Sequence, residues 1–243
     1  MKSSEGCTLD SDKGQLESNP MKFIYHQKNV DSRAGQALAR YALETDRRCL
    51  LFDSFEDIPT DHAGLISGSV ETVQLALNRN FPATYFPTWA KPFAGRNISY
   101  VDRISDLPKV PSFLKPSDFL KRFDGFLWDG KSEMIESPPF EVQSPVEILS
   151  ECRYYVTNGQ VVASGWYSPT LIDEIESPAL PRDLIIPNDW SGTIDCGKTT
   201  EHDSIVIECH YPFACGWYGD SKDFMIFGKW LEDGWKYLST IKH

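Results

Sequence analysis

The stretch from Thr193 to His210 constrains this chain more than any other. It reads Thr-Ile-Asp-Cys-Gly-Lys-Thr-Thr-Glu-His-Asp-Ser-Ile-Val-Ile-Glu-Cys-His. Two β-prone runs, 193–196 and 204–210, flank a polar segment carrying Gly197, Thr199, Thr200 and Asp203. That pattern predicts a hairpin. A symmetric connection keeps the sum of paired residue numbers constant, which sets Asp195 opposite Glu208. Directly opposed Cβ atoms lie roughly 4.5–5.5 Å apart. Side chains alternate along a strand, so Glu208 and His210 share a face. That face gathers Asp195, Glu208 and His210. Opposed carboxylates repel unless something cationic sits between them. A solvated face with nearby lysines meets the need, and so does a buried strand holding a divalent cation. The Ile205-Val-Ile207 run before Glu208 speaks for burial, where a carboxylate requires a partner.

The chain's 243 residues suffice for one compact domain or two small ones. A net charge of −11 argues against electrostatically driven nucleic-acid binding. No apolar run approaches the roughly 18 residues of a membrane span, and residues 1–20 lack a signal peptide's apolar core. The expectation is a cytoplasmic protein without nucleic-acid or membrane partners. The six cysteines are irregularly spaced, and Cys49, Cys152 and Cys209 fall inside strand-like runs. They read as reduced core residues. Cys196, Cys209, His210 and Cys215 lack the paired spacing of a zinc set.

Residues 1–20 are polar and unpatterned and read as a disordered leader. Residues 21–111 read as a small α/β lobe with its connection. A strand from Met21 precedes a helix capped near Asp31 and Ser32 that carries Ala34, Leu38, Tyr41 and Ala42. Strands at 48–52 and 64–67 and a helix at 69–78 follow, the order of a largely parallel sheet. Across 80–111, aromatic residues interleave with Pro82, Pro87 and Pro92, which forbids a long regular element. This stretch is expected to pack as a connection between lobes or to wall a pocket.

Residues 112–243 are strand-rich. Strands are expected at 113–116, 126–128, 140–144, 146–149, 151–156 and 160–167, with Asn158-Gly159 as a hairpin turn. Residues 168–190 should hold a short helix with loops. The segment 224–238, with Trp230 and Trp235, should pack on the core.

Lys115 and Lys121 lie at strand ends ahead of the acidic hairpin. Lysines are commonly surface charges, but Lys115 directly follows Phe113-Leu114 and must project from a buried strand. A glycine turn beside a lysine can close over phosphates with backbone N–H groups and a point charge. Mg²⁺ is commonly held by one or two carboxylates plus phosphate oxygens. Together these features suggest a nucleoside triphosphate.

The order of these motifs resembles the ATP-grasp family. It runs through Phe113-Leu-Lys115-Pro, Lys121-Arg-Phe-Asp-Gly125, Glu141-Val-Gln-Ser144, Glu151-Cys-Arg153, Asp195 and Glu208-Cys-His210. Gly68-Ser-Val-Glu71 and the Lys115…Gly125 segment are similar to a small clade of phages and bacteria, read as peptide or amide ligases. The resemblance spans about residues 21–220. It implies an α+β ATP-grasp fold with a small α/β N-terminal lobe. It also implies ATP with Mg²⁺ or Mn²⁺, a carboxylate and an amine substrate, and an acyl-phosphate intermediate. Lys115 would meet the α-phosphate and adenine side, and Lys121 the outer phosphates beside Gly125. The backbone of Glu141, Val142, Gln143 and Ser144 would read the adenine edge. Asp195, Glu208 and His210 would hold metal. Arg153 would face the reacting carboxylate or γ-phosphate, unless it pairs with Glu151 or Glu147. His210 stands where the family has asparagine, which favours Mn²⁺ or Zn²⁺ over Mg²⁺. Two other readings remain: a nucleotide- or protein-binding module without catalysis, and a zinc hydrolase using Asp195, Glu208 and His210.

Overall fold

The computed structural model describes residues 22–28, 31–60, 64–80, 86–118, 122–166, 177–213 and 215–241. The leader expected at 1–20, Lys121 and the aromatic residues at 81 and 85 lie outside them.

The first elements are β1 (Phe23–Gln27), α1 (Ser32–Glu44), β2 (Arg48–Phe52), β3 (Gly64–Ser67) and α2 (Val70–Leu77). β1 runs parallel to both neighbours, in the order β2-β1-β3. Both helices start where the sequence supplies a cap: Asp31 accepts from the Arg33 amide, and Ser69 from the Thr72 amide. On α1 the residues Ala34, Ala37, Leu38, Tyr41 and Ala42 are buried, the stripe expected from helical spacing.

A second sheet contains β4 (Ile98–Val101), β5 (Ser112–Pro116), β6 (Phe126–Trp128) and β7 (Phe140–Gln143), antiparallel in the order β4-β7-β5-β6. β4 falls within the stretch expected to be an irregular connection. It is a strand because β7, some forty positions later, offers it an edge, and a four-residue partner of that kind leaves no periodic signal.

The third sheet holds β8 (Ile148–Thr157), β9 (Gln160–Trp166), β10 (Gly192–Thr199) and β11 (Ile205–His210), in the order β11-β10-β8-β9. Asn158 and Gly159 both take positive φ, 49° and 73°, as the two-residue turn requires. Residues 148–157 form one strand where two were expected. Residues 177–190 contain no helix, and 167–176 lie outside the described residues.

The last element, α3 (Phe224–Thr240), packs on α1. Its Glu232 accepts from the Tyr41 hydroxyl at 2.8 Å and pairs with Arg47. Trp230 donates its indole N–H to the Val156 and Gly192 carbonyls at 3.0 and 3.3 Å, so α3 also fastens the third sheet. The five cysteines among the described residues are all free. No helix of the described residues is long and apolar enough to cross a membrane.

Candidate functional site

The second and third sheets face each other across a cavity of about 1020 Å³. On the third sheet, β11 pairs with β10 in the register expected: Thr193 with His210, Ile194 with Cys209, Asp195 with Glu208. Beyond that pair a β-bulge intervenes, because Cys196 opposes Val206 and Ile207 has no partner on β10. The extra residue changes the phase of the strand. Val206 and Cys209 both enter the apolar cluster on one face, whereas Ile207, Glu208 and His210 line the cavity on the other. Arg153 stands opposite Asp195 on β8, so one row across the sheet reads Arg153, Asp195, Glu208.

These charges neutralise one another inside the protein. Arg153 donates Nε and a terminal nitrogen to the two Asp195 oxygens, each at 2.7 Å. From the facing sheet, Lys115 pairs with Glu208. His210 Nε2 lies 3.0 Å from Glu208 Oε1 and 3.4 Å from Asp195 Oδ2. Burial alone would depress His210, but the Glu208 charge and hydrogen bonds to both carboxylates push its pKa up to about 10. Burial likewise opposes ionisation of Glu208, and Lys115 with His210 outweighs it, holding the carboxyl well below its ordinary range. Of the two expected ways to separate these carboxylates, nearby lysines or a divalent cation, the structure shows protein cations: Lys115 on Glu208, Arg153 on Asp195, and a protonated imidazole between them. Arg153 makes its bidentate pair with Asp195.

Glu151, two residues before Arg153 on the same face, lines the cavity. Burial, then the Asp195 and Glu208 charges, push it up to about 7 against the pull of Arg153 and Lys115. It stands opposite Gly197, over which the Ile207 and Ile148 side chains close.

On the second sheet, Phe113, Lys115 and Gly125 face the cavity. A Cβ on Gly125 would come within 2.5 Å of the Phe113 ring and 3.2 Å of Lys115 Cγ, so glycine is what the turn can accommodate there. The segment expected to read an adenine edge ends β7. Glu141 to Gln143 is paired on one edge with β4 and on the other with β5, and the Ser144 amide donates to the Asn97 carbonyl. That backbone is committed to the sheet. Gln143 and Ser144 still line the cavity, and the wall continues through Pro145, Val146 and Ile148. Glu141 turns to the Tyr100 hydroxyl and the Gln143 amide instead.

The fit of this donor set to a divalent cation follows from its chemistry. One ligand atom each from Asp195, Glu208 and His210 lies within 4.8 Å of the others. Two anionic oxygens and an imidazole nitrogen suit Mn²⁺ at least as well as Mg²⁺. A cation taking the His210 ring nitrogen as a ligand would require His210 to give up its proton.

Sequence reasoning passed over Arg96, whose guanidinium also lines the cavity and bonds to Gln143 and to β11. Only Gly95 before it hinted at a special backbone; its φ is +61°.

Residues 93–225 match the family described as ATP-grasp domain, R2K clade family 2. The chain belongs to the ATP-grasp family. Its α+β fold, with a small parallel sheet ahead of two antiparallel ones, is the ATP-grasp fold with a small α/β N-terminal lobe. No curated protein matches the chain. Solved ATP-grasp structures resemble it at low identity. D-alanine–D-alanine ligase from Bacillus anthracis complexed with ATP is 10% identical, with 90% of this chain and 98% of that one covered at a TM-score of 0.47. N5-carboxyaminoimidazole ribonucleotide synthetase from Thermotoga maritima is 13% identical, covering 78% and 68% at 0.45. The ATP-grasp ligase PsnB complexed with precursor peptide PsnA2 and AMPPNP is 9% identical, covering 89% and 97% at 0.45.

Proposed function

We propose that this ATP-grasp chain is an ATP-dependent carboxylate–amine ligase that works through an acyl phosphate. One observation carries the reading. A single cavity gathers Lys115 and Gly125 from one sheet with Arg153, Asp195, Glu208 and His210 from the other.

In this reading Lys115 leaves Glu208 and meets phosphate oxygens, while the turn at Gly125, together with Lys121, covers the outer phosphates. Gln143, Ser144 and the wall to Ile148 hold the base. Asp195, Glu208 and His210 hold a divalent cation. A cation bound there would supply neutralisation of phosphate charge. Arg153 keeps Asp195 ionised and aimed at the cation, because a bidentate pair fixes both its charge and its direction. The substrate carboxylate oxygen attacks the γ-phosphorus, and the bond to the bridging oxygen breaks to release ADP. An amine then attacks the acyl carbon, phosphate departs, and the nitrogen loses a proton. Positioning and charge neutralisation supply the catalysis.

Hydroxylamine tests this directly, because it captures acyl phosphates as hydroxamates. With ATP and Mn²⁺, a panel of amino acids and short peptides should yield at least one substrate-dependent hydroxamate with ADP. ATP binding without ADP release on any carboxylate would instead favour a nucleotide-binding module without turnover. That second reading draws on Arg153, whose guanidinium is committed to Asp195.

A further inference from the structure

Arg96 joins three parts of the chain through one side chain. Its Nε donates to Gln143 Oε1 at 2.9 Å. One terminal nitrogen donates to the Ala94 and Val206 carbonyls at 2.8 and 3.0 Å, and the other to the Ile207 carbonyl at 2.6 Å. In a regular strand, consecutive carbonyls point to opposite edges. Val206 and Ile207 point theirs to one guanidinium, which only the bulge permits. β11 is an edge strand, so no neighbouring strand would otherwise satisfy those carbonyls on that side.

The approach is prepared one residue earlier. Gly95 takes φ +61°, and a Cβ there would overlap the Ile205 side chain. Glycine lets the chain lie against β11 and deliver Arg96 to the bulge.

We propose that Arg96 is a positioning residue for the metal site: by holding the bulge carbonyls of Val206 and Ile207 it sets the phase that turns Glu208 toward the cavity, and through Gln143 it ties that setting to the nucleotide wall. This inference rests on the reading of Glu208 as a metal ligand. A guanidinium is needed because its planar fork reaches three carbonyls and an amide oxygen together, and an ammonium group cannot hold all four in fixed directions. Groups that orient metal ligands typically change affinity about 10–100-fold when replaced.

The test is an electron paramagnetic resonance titration of the full chain with Mn²⁺ at saturating ATP, comparing wild type, Arg96→Lys and Gln143→Met below their melting temperatures. Arg96→Lys should weaken Mn²⁺ binding about tenfold or more and alter the spectrum of the bound ion. Gln143→Met, which frees one arm and leaves the bulge bonds, should weaken it by a smaller factor, and it decides the matter if Arg96→Lys does not fold. A role in stability alone would lower the melting temperature and leave the affinity and spectrum of the folded protein as in wild type. That result would overturn the inference while leaving the metal site intact. A wild type that binds no Mn²⁺ with ATP would overturn both.

Discussion

Lys115 on β5 and Glu208 on β11 form an ion pair that spans the cavity between the two antiparallel sheets. Their side chains are 13% and 19% exposed, so the pair is only partly shielded from water. The contact joins the two walls of the cavity. Under the proposed function the same two residues would meet phosphate and metal.

The pair decides what Glu208→Gln does without ligand. Relief of repulsion from Asp195 alone would leave stability unchanged or raise it. The observed partners reverse that expectation, since the change strips Lys115 and protonated His210 of a shared anion. Urea unfolding in EDTA should show a loss of about 2 kcal/mol, below the 3–5 typical of a fully buried pair because the site is partly wet. Unchanged or increased stability would show that the pair contributes nothing.

His210 gives the ligand-free protein a pH dependence. Its pKa rises from an ordinary 6.5 to about 10, through burial opposed and outweighed by Glu208 and Asp195. A group raised on folding stabilises fully below the unfolded pKa, and that contribution is lost as pH climbs toward the folded one. In EDTA, stability should therefore fall between pH 6.5 and 9 with a slope approaching roughly 1.4 kcal/mol per unit. His210→Asn should flatten that slope. It should also shift metal preference from Mn²⁺ toward Mg²⁺, since an amide oxygen replaces a nitrogen. Equal slopes for both proteins would contradict the assignment of the proton.

Gly228 on α3 faces the ring of buried Tyr41, and a Cβ there would overlap it. Helix propensity alone favours alanine over glycine by about 1 kcal/mol. Overpacking against an immobile ring costs about 1–3 kcal/mol and should prevail. Gly228→Ala is expected to lower the urea midpoint, and a raised midpoint would mean that α1 and α3 can separate freely.

Local chemistry made much of this fold legible. Asp31 and Ser69 announced their helices and Asn158-Gly159 its turn; Asp195 stands opposite Glu208 as expected, but through the bulge, because Gly197 opposes Ile205 and an unbroken ladder from there would set Asp195 against Ile207. The rest depended on distant chain. β4 exists because β7 offers an edge, and the bulge at Ile207 is stabilised by Arg96, more than a hundred positions away. The counter-ions were hidden for the same reason: Lys115 and Arg153 reach their carboxylates across a cavity and across a ladder, distances that no local pattern encodes.

Nucleotide binding tests the central claim most directly. Wild-type protein is melted with ATP and either Mn²⁺ or Mg²⁺ at about a hundred times the dissociation constant, where binding stabilises the fold by about 2.7 kcal/mol. Lys115→Ala should lose most of that stabilisation. A wild-type melt unmoved by saturating ATP with both metals would contradict the account.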